Sequence, residues 1–384
     1  MSAANPARKA RTTFPKQTID LLVFGGLYFV LERLGLFFLL APDDISVWWP
    51  PSGFMFAYLV QRDRSRWTGI ILVSILVATL ANVSVGKSAL VASLLGTANA
   101  IEAFVAAFIF RRWASEDTGL TSLHTAGIFI VSGVVIGPLV SATIATIVLN
   151  QFGADHWLIS FIAWQASVAL GVLTVGAAML AAPRSYKVLT KRWPELLLLV
   201  VVLAATCFLA FYRSLSTANP QPSFLFATIP ILAWGALRFQ IFGSAFLAFV
   251  VSLCAVTGAC HFPGPFAALP WTAKLPWLLL FLTVATVTPL IVAALVEERA
   301  KAERRLELTQ HAVDRSPTAI LWVRKDASVA YANFAACKLL EVTREELEQM
   351  DVQDFDPTWP KERWMQMWEA LKREKSATFE RTIV

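Results

Sequence analysis

Apolar residues gather along this chain in long runs rather than at amphipathic spacing, at about 18–41, 45–61, 67–85, 88–110, 124–149, 157–182, 194–212, 223–237, 239–258 and 275–297. Most have the roughly 17–25 residues that a helix needs to cross a hydrocarbon core of about 30 Å, where backbone polar groups must be satisfied within the segment. The pattern predicts an all-α polytopic membrane domain over 18–297, preceded by a tail at 1–17. About ten transmembrane helices are expected, or eight if two short stretches are re-entrant or if 223–258 is one broken element.

Beyond residue 297 the pattern changes to EERAKAERRLELTQHAVDRS, with Leu295, Ala302, Leu306, Thr309 and Val313 at steps of 7, 4, 3 and 4. That is a heptad seam, which predicts a helical linker over 298–312 that pairs with a second copy of the chain. A single amphipathic linker helix is the alternative reading. Residues 313–384 read as α+β: a strand AILWV, a turn at KDAS, a strand VAYAN, a helix from Phe334, and a further strand in TFERTIV at 378–384. Thr343 with Glu346 three residues on forms a capping box.

Composition agrees with the pattern, since 57% of residues are hydrophobic and only 16% charged. The first run carries Glu32 and Arg33 and lacks a small-residue cleavage motif, so it is a retained helix and not a signal peptide. Lys and Arg concentrate on alternate connections: Arg8, Lys9, Arg11, Lys16, Arg62, Arg64, Arg66, Arg111, Arg112, Arg184, Lys187, Lys191, Arg192 and Arg238 on one face, against Lys87, Arg213 and Lys274 on the other. Positive charge marks the cytoplasmic side. Both termini are therefore expected on the cytoplasmic side of the membrane. The net charge of +6 is then topological and spread over loops, which sets nucleic acid aside as a partner. Cys207, Cys254, Cys260 and Cys337 have no metal-site spacing and read as buried free thiols.

Candidate chemistry centres on SVWWPPSGFMF at 46–56. Proline is tolerated at the first helical position and costs about 3 kcal/mol further in, so a helix should begin at Pro50 or Pro51 and reach only about 18 Å by Gln61. Its start would then lie below the interface, with irregular backbone over 45–49 facing protein or a watery cavity. The free N–H groups near Ser52 and Gly53 would form a small anion-binding mouth walled by Trp48 and Trp49. The plainer alternative is a pair of interfacial tryptophans ahead of an ordinary helix start. Other polar or aromatic groups fall at membrane depth: Asn82, Asn99 with Glu102 one turn on, Trp164 with Gln165, and Trp234 near Pro230. A carboxylate at the bilayer centre costs at least about 2.5–3.5 kcal/mol on insertion scales and needs a partner or a proton. Helix–helix glue is the alternative role for Glu102. Together these residues predict a site for a small polar or anionic ligand, with Gly53 permitting close backbone approach.

In that order, WPPSG at 49–53, Asn99 and Glu102 followed by Arg111-Arg112, AWQ at 163–165 leading to LGVLTVGAAMLAAP, and PILAWGALRF at 230–239 resemble the first type of the membrane-associated sensor (MASE) domain family, over roughly 18–297. Residues 311–356 are similar to the opening of a PAS domain, with Asn333 where such domains carry an Asn after the second strand. The resemblance implies a bacterial inner-membrane sensory module fused to a cytoplasmic output, a diguanylate cyclase with or without a phosphodiesterase, or a histidine kinase. It also implies that the PAS fold is truncated here and that the chain alone is not an enzyme. No cofactor is expected: 341–384 has no histidine for haem, and Cys337 lacks the neighbours of a flavin-binding cysteine.

Two rival classes remain. Broken helices with mid-depth polar groups also build transporter sites, although the short proline-bearing stretches do not correspond in a five-plus-five repeat. A membrane subunit that senses another membrane protein is the third reading. Lipid is a partner in every case.

Overall fold

The computed structural model describes residues 14–40, 45–114, 119–120, 122–153, 156–212, 223–262, 265–266, 269, 271–376 and 378. The basic tail with Arg8, Lys9 and Arg11, the loop at 41–44, Arg213 and nearly all of the strand expected at 378–384 lie outside them. The chain divides into two compact units, Met1–Glu298 and Arg299–Val384.

Among the described residues, the regular structure of the first unit is helical apart from one short hairpin. Its elements are α1 (Phe14–Leu36), β1 (Leu39–Leu40), β2 (Ile45–Ser46) and α2 (Pro50–Gln61), then α3 (Arg64–Val83), α4 (Ala89–Trp113), α5 (Leu123–Gln151), α6 (Trp157–Ala182), α7 (Thr190–Tyr212) and α8 (Thr228–His261), and finally α9 (Trp271–Asp314), which runs past Glu298. Seven of the described helices, α3 to α9, are long and apolar enough to cross a membrane, which makes this a multi-pass membrane protein. Seven is fewer than the ten stretches in the sequence for three physical reasons. α1 carries Asp20, Glu32 and Arg33, and α2 has only 12 residues. The third reason is α8, which takes in two stretches.

α8 is in fact two arms. Gln240 has φ 57° and ψ −151°, outside any helix. A Cβ added to Gly235 would lie 2.2 Å from Leu247 Cδ1, and one added to Gly243 would lie 3.4 Å from the Gly235 carbonyl oxygen. In a continuous helix residues 235 and 247 would be about 18 Å apart. The chain therefore folds back at Gln240, and Gly235 and Gly243 let the arms touch. A second break falls at Arg192 (φ −122°, ψ 23°), in the first turn of α7. Leu170 and Leu203 share one core cluster, whereas an unbroken helix would hold them about 50 Å apart.

Packing follows side-chain size. α3 turns Ser74, Ala78, Ala81 and Asn82 inward and leaves Leu72, Leu76 and Leu80 more than half exposed, a stripe at four-residue spacing suited to lipid. α4 buries Ala92, Ala98, Ala103, Ala106 and Ala107 on one face. Small residues let backbones approach where there is no hydrophobic drive between helices.

The second unit contains the antiparallel pair β3 (Leu321–Val323) and β4 (Val329–Ala332), then α10 (Phe334–Leu340), α11 (Arg344–Leu347), α12 (Val352–Phe355) and α13 (Lys361–Glu374). The strand, turn, strand and helix order of the sequence reading is present as far as it is described. The Thr343 side chain caps α11 and Glu346 reaches back to the Thr343 N–H, as the capping box requires. Asn333 is fully buried. Its Oδ1 accepts from Ile320 N at 2.9 Å and Ala336 N at 3.0 Å, and its Nδ2 donates to Thr318 O at 2.9 Å and Val313 O at 3.0 Å. One side chain thus ties the end of α9 to the hairpin and to the start of α10. Asp314, the last residue of α9, adds contacts to Tyr331 and Arg344.

Candidate functional site: a buried polar seam at the start of α2

The proline pair sets where α2 begins. Pro50 and Pro51 occupy its first two positions after Trp49, where their missing N–H groups leave nothing unsatisfied. The preceding backbone is more ordered than the irregular stretch expected at 45–49. Ile45 and Ser46 pair with Leu40 and Leu39, Val47 N donates to Phe38 O at 3.1 Å, and Trp49 N donates to Ser167 O at 3.1 Å. Buried backbone must find partners, and a two-residue hairpin and α6 supply them. Every residue from Ser46 to Gly53 is buried in protein.

Gly53 has a different use from the one expected. A Cβ there would meet Gly171 O at 2.1 Å and Gly176 N at 2.8 Å, and a Cβ on Gly171 would meet Trp49 O at 1.9 Å. The close approach that Gly53 permits is to the backbone of α6. α6 is π-helical over Val172–Gly176, next to that contact. Such turns interrupt the regular helical ladder and recur at functional sites.

Beside this crossing lies Glu102 of α4, 1% exposed. Ser52 Oγ donates to Glu102 Oε2 at 3.2 Å. Ser141 of α5 lies beside the same carboxylate; its Oγ donates to Pro138 O at 3.2 Å and accepts from Trp164 Nε1 of α6 at 3.3 Å. The start of α2 is thereby bonded to α4, beside the contact between α5 and α6. One turn from Glu102, Asn99 lines a cavity of about 30 Å³ together with Trp49, Asn82, Lys87, Trp164 and Ser167. This polar group is closed in by Leu36, Leu39, Ile45, Leu95 and Val168.

Of the residues singled out in the sequence, Trp49, Asn82, Asn99 and Trp164 meet at the cavity. Ser52 and Glu102 form the hydrogen-bonded layer beside it. Pro50, Pro51 and Gly53 are packed behind as scaffold. Trp48 Nε1 donates to Thr174 Oγ1 at 3.2 Å and its ring packs edge-on against Phe249. Gln165 Nε2 donates to Val135 O at 3.3 Å. Trp234 is not brought to the group: it is 56% exposed and its Nε1 donates to Glu195 Oε1 at 3.3 Å. Glu195 also holds Arg238 at 2.8 Å.

Three groups escaped the sequence reading. Lys87 and Ser167 line the cavity, and neither a loop lysine nor a helix serine announces that in sequence. Glu32 of α1 is fully buried with neither carboxylate oxygen hydrogen-bonded, one turn after the equally buried Tyr28. The rule that singled out Glu102 applies equally to Glu32. Among the described residues no cluster of three or more His, Cys, Asp or Glu is arranged to hold a metal ion.

Comparison with known proteins gives two matches. The MASE1 family model matches residues 21–300. "Probable diguanylate cyclase DgcE" of Escherichia coli (strain K12) is 26% identical over 355 residues, covering 91% of this chain and 31% of the relative. The chain thus spans about a third of the length of that curated relative. No solved structure matches.

Proposed function

The chain belongs to the MASE1 family, and we propose that its first unit is the input module of a bacterial inner-membrane receptor, with both termini cytoplasmic and a signalling output C-terminal to it. The observation that carries this reading is the Ser52–Glu102 contact at the broken start of α2. A fully buried carboxylate held by the Ser52 hydroxyl of a neighbouring helix is sensitive to anything that changes its charge or its partner. A shift of α2 would be felt at once by α6, because their backbones touch at Gly53 and Gly171.

Transmission runs through α9. In this proposal α9 pairs with the α9 of a second copy along Leu295, Ala302, Leu306, Thr309 and Val313, and the second unit is the opening of a PAS domain. The β3–β4 hairpin, the Thr343 capping box and the Asn333 clamp on Val313 support that assignment. By the name of its Escherichia coli relative, the output is a diguanylate cyclase rather than a histidine kinase. The chain supplies no catalytic group of its own in this scheme.

The test is a chimera in which residues 1–384 replace the matched part of the Escherichia coli relative, compared with the same chimera lacking residues 1–298. Cyclic di-GMP made in membranes should differ between the two. Equal synthesis by both, or flux of a substrate through the purified chain in proteoliposomes, would overturn the sensory reading.

A further inference from the structure

Glu32 of α1 is a carboxyl group that its surroundings leave unsatisfied. It is fully buried, and neither carboxylate oxygen has a hydrogen-bond partner. Phe24, Tyr28, Glu32 and Gly35 are spaced to share one side of α1. On that side the Phe24 ring stacks on Phe54 with centroids 5.5 Å apart, and a Cβ added to Gly35 would lie 2.6 Å from Trp49 Cε3. Glu32 falls between these two contacts, level with the first turn of α2. A helix start commonly offers free N–H groups to a carboxylate. This one does not, because Pro50 and Pro51 have no N–H, Trp49 N donates to Ser167 O, and Ser52 N turns back to Trp49 O at 3.4 Å.

The charged and titratable groups nearby are engaged elsewhere. Asp20 holds Arg62 and Arg66 at the other end of α1, about 18 Å along the helix axis from Glu32. Tyr58 of α2 donates to Asp20 at 2.8 Å, and Arg33 donates to Ser84 Oγ at 2.6 Å. α3 carries no charged residue between Trp67 and Val83. Past the end of α1, Lys87 lines the small cavity with Leu36, and His261 stacks on Phe37 at 4.8 Å. Glu102 of α4 is bonded to Ser52, and the buried Tyr28 interacts electrostatically with both Glu32 and Glu102. Among the described residues no cation pairs with Glu32. An ionised carboxylate buried in this way is among the most costly groups a fold can contain, and such a group takes up a proton instead.

We propose that Glu32 is a proton-binding site and that the proton is the ligand sensed at the start of α2. With the proton bound, α1 packs on α2 as described. When the proton passes to water, the carboxylate has to reach water or a donor. The way out is short, since Glu32 is one helical turn from Leu36, where α1 ends. That movement draws α1 off Phe54 and Trp49 and shifts the segment that presents Ser52 to Glu102. The proposal rests on the sensory reading above and names the ligand of that site.

The experiment is infrared difference spectroscopy of the full chain in nanodiscs as pH is raised from neutral, following the carbonyl stretch of a protonated carboxyl group in dry surroundings. The parent should show this band and lose intensity with rising pH. Glu32→Gln should lack that change and Glu102→Gln should keep it; Glu32→Leu, which places an apolar group on an apolar face, gives the same reading if the glutamine variant is not monodisperse. Across the same titration, cyclic di-GMP synthesis by the chimera, relative to the one lacking residues 1–298, should change at least about fivefold, the low end of coupling between sites, and Glu32→Gln should remove that response. A parent without the band, a titration unchanged in Glu32→Gln, a band that persists to the alkaline limit, or its loss on adding sodium or potassium at fixed pH each overturns the proton site. If residues 1–298 govern the chimera independently of pH, the proton is not the input and the proposal falls alone. If they do not govern it at all, the sensory reading falls with it.

Discussion

Gly171→Ala is the substitution that most sharply tests how α2 is seated. The added Cβ would lie 1.9 Å from Trp49 O, 2.6 Å from Trp49 C and 3.2 Å from Pro50 N, all backbone atoms that cannot rotate away. Reaching the 3.0 Å below which Cβ contacts are essentially never found needs a shift of more than 1 Å in the segment that positions Trp49. Overpacking of this kind costs about 1–3 kcal/mol, set against about 0.8–1 kcal/mol gained in helix propensity on replacing glycine by alanine. Gly127→Ala provides the comparison, because nothing lies within 4 Å of its added Cβ and only the gain applies. Gly176→Ala, with a nearest contact of 3.3 Å to Gly53 O, should fall between them. The assay is thermal stability of the purified chain in detergent, read as loss of monodispersity on heating. Gly127→Ala should match or exceed the parent, and Gly171→Ala should lie below Gly127→Ala by several degrees, at about 2–4 °C per kcal/mol. Equal midpoints for these two variants would refute the close crossing of α2 and α6.

Three further outcomes follow from local geometry. Gln240 has a positive φ with ψ −151°, a region that costs a non-glycine residue about 1–3 kcal/mol, so Gln240→Gly should raise the midpoint and Gln240→Val should lower it. Asn333→Ala strips partners from Ile320 N, Ala336 N, Thr318 O and Val313 O; it should cost about 3 kcal/mol and speed amide exchange in α10 and at the end of α9. The Thr343 N–H, with the Thr343 hydroxyl, holds the Glu346 carboxyl below the usual glutamate range. A depressed carboxyl pKa contributes stability that is present above the unfolded value of about 4.3 and lost as pH falls through the folded one, so Glu346→Gln should abolish that acid-side loss of order at 343–347, read from side-chain carbon shifts.

The parts legible in the sequence were those governed by one residue's local chemistry. Two adjacent prolines admit one helix start, and α2 begins there. Thr343 and Glu346 specify their own cap. Asn99 and Glu102, three apart on one helix, had to share a face, and both are buried beside α2. What the sequence hid was set by contacts between distant segments. The break between the stretches at 223–237 and 239–258 was legible in the sequence, but the tight contact of Gly235 with Gly243 and Leu247 that the reversal at Gln240 brings about was not. Gly53 suggested room for a ligand because the partner backbone, Gly171 and Gly176, lies more than a hundred residues away. Trp234 shared the composition of the site residues but sits on an exposed face with Glu195. Lys87 and Ser167 acquire meaning only when the cavity closes around them.

The most direct measurement is cyclic di-GMP synthesis by the membrane-embedded chimera with Glu102→Gln against its parent at equal membrane abundance. Glutamine keeps the shape of Glu102 and removes the carboxylate that Ser52 holds. If the seam at the start of α2 is the input, synthesis should change by at least about fivefold, the low end of ordinary coupling between sites. Unchanged synthesis by a fully inserted Glu102→Gln chimera would contradict that role and leave Glu102 as a structural bond between α2 and α4.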